Sequence, residues 1–297
     1  MSDLASQIPP ALTLAGIALV SLICQLMAWR LRLPAILFLL LIGIVVGPVL
    51  GVIKPDEFLG DLLFPIVSLC VALILFEGSL TLKFEQLKET GPVVRKLVTV
   101  GALVTWGVIS LACYWLIGLD VALSALFGAL VVVTGPTVVV PMLRTLRATP
   151  RISKVLRWEG ILIDPIGALL VVLVYEWIVS QAAGHNGFMA SLLIFVEVIG
   201  VGAIAGILGG FLMATAMRRR WVPEYLEVLA SLALVLVMFS VSNEIAHESG
   251  LLTVTIMGIW LANAKGIDIE EILVFKEHLS VLLISGLFIL LAARLDL

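Results

Sequence analysis

Ten apolar stretches, most of them about as long as a hydrocarbon layer is thick, follow one another along this chain with short polar connections between them. They fall at 11–28, 34–53, 61–80, 97–117, 121–143, 159–179, 188–217, 225–243, 250–264 and 279–295. A soluble core cannot absorb so many. Of the 297 residues 62% are hydrophobic and 13% charged, whereas a soluble domain carries about a quarter charged residues to clothe its surface. The pattern predicts an all-α polytopic membrane protein with about ten transmembrane helices. The loops leave no room for a soluble domain, so 1–297 reads as one transmembrane domain.

The charges set an orientation. Sixteen of the 18 Lys and Arg residues fall just before the second, fourth, sixth, eighth and tenth stretches, as in Arg30 and Arg32, Arg144 to Arg157, and Arg218 to Arg220. The opposite loops hold Lys54 alone, and Arg294 lies in the last stretch. Basic residues stay on the cytoplasmic side, which predicts an N-terminus outside a cell membrane, here a bacterial inner membrane. The basic loops read as topology determinants lying against anionic lipid.

Several classes drop out. A net charge of −3 gives no basic footprint for nucleic acid. Cys24, Cys70 and Cys113 sit inside apolar runs without metal-ligand or paired spacing, so they read as small core residues. The first ten residues carry no Lys or Arg, and neither a cleaved signal peptide nor a lipidation motif is expected. No GxSG-type nucleophile, HExxH or paired membrane aspartate supports an intramembrane enzyme, and no cofactor is expected.

Ionisable residues at membrane depth are functional candidates because each is expensive there. Glu77 closes the run Ile66 to Phe76 and reads either as a satisfied interfacial carboxylate or as a ligand. Glu176 lies near the outer end of its span, and Glu197 lies deeper. Asn243, Glu244, His247 and Glu248 fall in an external loop, where solvated polarity is favoured over a zinc site. Asp164 stands apart, in Trp158-Glu159-Gly160-Ile161-Leu162-Ile163-Asp164-Pro165-Ile166-Gly167. Pro165 cannot donate to the Ile161 carbonyl, and Gly160 one turn earlier lets another backbone approach. Carboxylate, freed carbonyl and thin helix face make a cation-sized polar pocket; the alternative is a structural kink.

The second irregularity is Val133-Thr134-Gly135-Pro136-Thr137, midway through the fifth stretch, with Pro141 beyond it. Gly-Pro breaks a helix, and a broken membrane helix exposes carbonyls and amides that suit ions. A plain proline kink is the alternative. Beside a proline-flanked aspartate, the break suggests transport of a small cation.

These residues resemble a known family. Phe76-Glu77-Gly78, Thr134-Gly135-Pro136 and Glu159 through Asp164 are similar, in order and spacing, to motifs of the monovalent cation:proton antiporters of the sodium/proton exchanger (NhaP-like) type. The resemblance implies an inverted-repeat antiporter fold with a broken fifth helix. It implies a secondary active transporter exchanging Na+ or K+ for H+, in which Asp164 binds proton and cation in competition. Thr134 and Glu77 are then further ion ligands. Glu159, Gly135, Pro136, Gly160 and Pro165 support the site, with no metal beyond the transported cation. Glu159 matches a glutamate that pairs with an arginine on a later helix. The family commonly has Thr-Asp-Pro at 134–136, Asn before Asp164 and serine at 160. Members typically have about thirteen spans and form homodimers, so the second repeat is expected to be incomplete here. A non-exchanging symporter or cation-binding protein on the same fold is the competing reading.

Overall fold

Pro223 opens one helix and Pro10 another, each at the position where a missing N–H costs nothing, and such punctuation divides the chain into helices. The computed structural model describes residues 9–135, 138–139, 142–143, 148–182, 188–267 and 270–295. The elements are α1 (Pro10–Leu31), α2 (Ala35–Ile44), α3 (Pro55–Leu59), α4 (Leu63–Ser79), α5 (Phe84–Lys96) and α6 (Ala102–Ala112). They continue with α7 (Val121–Val131), α8 (Pro150–Ala182), α9 (Phe188–Arg218), α10 (Glu224–Ile245), α11 (Ser249–Ala262) and α12 (Glu270–Ala293). No strand occurs among the described residues.

Six helical stretches are long and apolar enough to cross a membrane, and four shorter apolar helices, Ala35–Val49, Val121–Val131, Ser249–Ala262 and His278–Ala293, accompany them. The ten apolar runs of the sequence thus each correspond to a helix. Their ends differ from expectation where charged turns extend an apolar core. Helix α8 starts at Pro150, nine residues before the apolar run, and α5 supplies an amphipathic lead through a π turn into α6. Hydropathy reads only the apolar part of such a helix. Helix α2 also widens into a π turn, Val45–Val49, which accommodates Pro48.

Two packing groups result. In the first, α11 is central and touches α4, α9 and α10 around Phe76, Val235, Phe239, Val254 and Met257. Its contacts are backbone-close: a Cβ on Gly258 would fall 2.7 Å from the Phe76 carbonyl, and one on Gly206 2.8 Å from the Thr253 carbonyl. Helices α1, α2 and α12 pack on one another around Cys24, Leu39 and Ile289, and α12 joins them to α4 and α10. The second group is α5 to α8, closed on Val94, Val98, Val132, Trp158 and Ile161. Asn263 joins the two groups, donating to the carbonyls of Leu82 (2.9 Å) and Ile259 (2.7 Å) and accepting from the Phe84 N–H (2.8 Å). Cys24 and Cys113 are buried and all three thiols are free.

Candidate functional site

Helix α7 is started firmly and stopped early. Asp120 caps it, accepting from the Leu123 N–H at 3.0 Å. The helix ends at Val131, and residues 132–135 run on without helical structure inside the apolar stretch. Gly135 has φ +67°, a backbone region that side chains disfavour, so a glycine is needed where the chain turns out of the helix. Pro136, expected to support this break, and Thr137 and Pro141 lie outside the described residues.

Helix α8 receives the break on a row of small residues. A Cβ on Gly160 would lie 3.4 Å from Val139 Cγ2 and 3.7 Å from the Gly135 carbonyl oxygen. A Cβ on Gly167 would run into Val133 Cγ2. Residues 160, 164 and 167 recur at helical spacing, so Asp164 shares the face that the two glycines open. Gly167 belongs to this contact although sequence reasoning passed over it; its spacing of two turns from Gly160 was the available signal.

Thr134 and Glu159 meet across the same contact. The Thr134 Oγ1 hydroxyl lies 3.1 Å from Glu159 Oε1 and 3.2 Å from Oε2, donating its one proton to the carboxylate. A hydroxyl so held turns its lone pairs away from the glutamate, as a cation ligand requires. Asp164 is partly buried, and among the described residues its carboxylate has no hydrogen-bond donor and no cation. Pro165 is buried and α8 continues through it to Ala182. Two polar atoms of the α5 to α8 group are buried without a partner among the described residues: Trp158 Nε1, one residue before Glu159, and Ser110 Oγ, against the α6–α7 contact at Gly128.

Thus Thr134, Gly135, Glu159 and Gly160 are brought together, and Asp164 lies on the same face of α8, between Gly160 and Gly167. Glu77 stands near the end of α4. It lines a hollow between α4, α10 and α12 with Leu73, Ser231, Ile272 and Ser280, and no lining residue comes from the break or from α8. In the cluster Asn243 to Glu248, Asn243 Oδ1 accepts the Gly250 N–H at 2.7 Å at the start of α11, while Glu244, His247 and Glu248 are exposed, as solvated polar residues are. Among the described residues no three His, Cys, Asp or Glu side chains group as a metal site. A partly buried carboxylate on a largely apolar helix is costly to leave charged and bare, and a proton or a cation would neutralise it.

Comparison with known proteins agrees with this architecture. Residues 16–297 match the sequence profile described as "Sodium/hydrogen exchanger, transmembrane". The chain is 27% identical to Na(+)/H(+) antiporter 1 of Methanocaldococcus jannaschii over 299 residues, covering 95% of this chain and 68% of that protein. It is 24% identical to K(+)/H(+) antiporter NhaP2 of Shewanella sp. (strain ANA-3), covering 95% of this chain and 48% of that protein. The solved structure of the sodium proton antiporter MjNhaP1 of M. jannaschii at pH 8 superposes with a TM-score of 0.79 at 24% identity, over 97% of this chain and 71% of that one. The chain therefore spans 48% to 71% of the length of these relatives.

Proposed function

This chain belongs to the sodium/hydrogen exchanger family, and from that premise we propose that it exchanges a monovalent cation, Na+ or K+, for H+ across a cell membrane by alternating access. The observation that carries the reading is the Asp164 carboxylate, without a partner among the described residues, on the glycine-lined face of α8 that receives the non-helical stretch 132–135. Proton and cation compete for that carboxylate. The empty, charged form does not reorient, because it would carry a bare charge through apolar surroundings. Exchange follows from competition alone, one cation for one proton.

In this mechanism Thr134, oriented by Glu159, offers its hydroxyl oxygen, and the backbone of the break offers carbonyls. Gly135, Pro136, Gly160 and Pro165 shape the contact. Glu77 acts from the α4 side through water or through the state in which that side opens. The basic loops lie in the cytoplasm, the N-terminus lies outside, and the working unit is a homodimer.

The test is cation-triggered collapse of a pH gradient in proteoliposomes, comparing Na+, K+ and Li+. Relatives named for Na+ and for K+ make both ions necessary arms. Collapse by one cation, lost in Asp164→Asn, is the expected result. Equal activity in the Asn variant removes Asp164 from the mechanism. Cation uptake without movement of the gradient replaces exchange by cation-coupled symport or simple binding.

A further inference from the structure

The chain leaves the packing group around α11 and enters the α5 to α8 group through residues 80–83. Most of that passage stays wound onto the end of α4. Leu80 N–H donates to the Phe76 carbonyl (3.0 Å), Thr81 N–H to that of Gly78 (3.1 Å) and Leu82 N–H to that of Ser79 (3.0 Å). Thr81 Oγ1 adds a bond to the Gly78 carbonyl at 2.7 Å. Lys83 alone is extended, with φ −91° and ψ 128°, and α5 begins at Phe84. The passage therefore turns at a single residue. Leu82, just before it, is divided between the groups: its side chain is buried in the core of Val94, Val98 and Trp158, while its backbone N–H is tied to α4.

Helix α5 starts without a cap of its own. The first N–H groups of a helix have no partner within it, and Lys83 supplies no side-chain acceptor. The acceptor comes from another helix. Asn263, the residue that ends α11, takes the Phe84 N–H on Oδ1 at 2.8 Å. Its amide nitrogen donates to the Leu82 carbonyl (2.9 Å) and to the Ile259 carbonyl (2.7 Å), one of the last carbonyls of α11. One side chain thus closes the end of α11 and the start of α5, and grips the residues on either side of Lys83. Both donors and the acceptor are committed, a combination that neither aspartate nor an apolar residue of the same size can reproduce. The support is fixed, because α11 lies backbone-close to α4: a Cβ on Gly258 would sit 2.7 Å from the Phe76 carbonyl.

We propose that Asn263 is a positioning residue for exchange: it pins Lys83 as the pivot on which the α5 to α8 group, with Asp164 in it, turns against α4 and α11. This rests on the alternating-access reading above. A pivot keeps its own separations while the contacts farther from it slide, and the shared amide holds both flanks of Lys83 to one fixed helix end. The bonds of Asn263 go to Leu82, Phe84 and Ile259 and not to Thr134, Glu159 or Asp164. Its effect is therefore on the rate of turning, not on the affinity for the cation.

The test is cation-triggered collapse of a pH gradient by the full chain in proteoliposomes, with each rate divided by the amount of folded protein. Asn263→Asp keeps an acceptor for the Phe84 N–H but sets a carboxylate oxygen against the two carbonyls. Its maximal rate falls about tenfold, while the cation concentration for half-maximal exchange stays at the parent's value. The cysteine pair F84C/N263C is the second variant. It is slow when reduced and regains the parent's rate once a short bifunctional thiol reagent joins the two positions, because a pivot tolerates a fixed length. The parent, with its free Cys24, Cys70 and Cys113, receives the same reagent as the control. A full rate in Asn263→Asp makes the amide a structural tie and overturns the proposal. A joined pair that stops exchange also overturns it, since the two positions then part during the cycle. A shifted cation dependence does the same by carrying Asn263 to the ion site. A parent that collapses no gradient overturns the exchange reading itself, and the pivot with it.

Discussion

The slab of α1, α2, α4 and α9 to α12 and the α5 to α8 group are made of the same apolar residues, yet they treat polar groups in opposite ways. In the slab the buried hydroxyls are closed in on themselves. Ser242 Oγ meets Ser249 Oγ at 2.6 Å and Thr253 Oγ1 at 2.7 Å, and Ser79 donates to the Leu75 carbonyl at 2.7 Å. In the α5 to α8 group the account is left open. Both buried side-chain polar atoms without a partner among the described residues, Ser110 Oγ and Trp158 Nε1, lie there, and so does Asp164. A region whose polar groups are all satisfied is a frame. One that holds a carboxylate without a partner among the described residues, beside a break in a helix, is where the proposed ion site belongs.

The sharpest way to break this contrast is Asp164→Asn. Neutralising a carboxylate in apolar surroundings is expected to leave thermal stability unchanged or raised, while cation-driven proton movement falls to the protein-free background. Gradient collapse in proteoliposomes and a melting curve on the same preparation read both halves. Lost stability together with lost transport would make Asp164 part of the frame.

How much of this was legible beforehand follows from what local pattern can and cannot hold. The apolar runs, the Gly135-Pro136 interruption and the exceptional Asp164 are properties of single segments, and each is visible as such. The Thr134–Glu159 hydrogen bond, 25 residues apart, depends on how the break lies across α8, which no periodicity records. The same holds for Glu77: its motif names a ligand role, whereas the packing of α4 with α10 and α12 that sets it in a hollow with Ser231 and Ser280 is not written in the segment. Helix ends were misjudged for a simpler reason. At Pro150 and Phe84 polar turns continue an apolar helix, and hydropathy stops where the helix does not.

Glycines sharpen the comparison next. Gly167→Ala and Gly206→Ala both place a methyl into an occupied contact, with Val133 in the first case and the Thr253 carbonyl in the second. Each is expected to destabilise by about 1–3 kcal/mol, the usual cost of overpacking. Transport per folded molecule should fall severalfold in Gly167→Ala only, because only there does the displaced element carry the break. Gly160→Ala, where the nearest atom is 3.4 Å away, should be milder in both readings. Equal transport losses for Gly167→Ala and Gly206→Ala would erase the distinction between frame and site.

A smaller effect is expected at Glu159. Glu159→Gln keeps an acceptor for the Thr134 hydroxyl but loses the charge that strengthens the bond, a difference of roughly 1 kcal/mol. The cation concentration for half-maximal exchange should rise about fivefold, as that energy implies, with the maximal rate nearly kept. Thr134→Ser should behave as the parent and Thr134→Val should weaken cation binding at least as much as Glu159→Gln. A fall in maximal rate with unchanged cation dependence would assign Glu159 to the frame.

The smallest effect belongs to the slab, and it tests the claim that its polar groups are closed. Ser242→Ala removes the hydroxyl that joins Ser249 to Thr253, yet each of those keeps another acceptor. Ser249 still donates to the Ser242 carbonyl at 2.7 Å, and Thr253 still reaches the carbonyls of Ser249 (3.1 Å) and Gly202 (3.3 Å). No buried donor is orphaned, so the loss should stay near the average for one hydrogen bond between membrane helices, about 0.6 kcal/mol and at most about 1.7. Equilibrium unfolding of parent and variant in mixed micelles measures it, and the cation dependence of exchange should not move. A loss several times larger would mean that the three hydroxyls act as one cooperative unit; a shift in cation dependence would mean that the slab, too, reaches the ion.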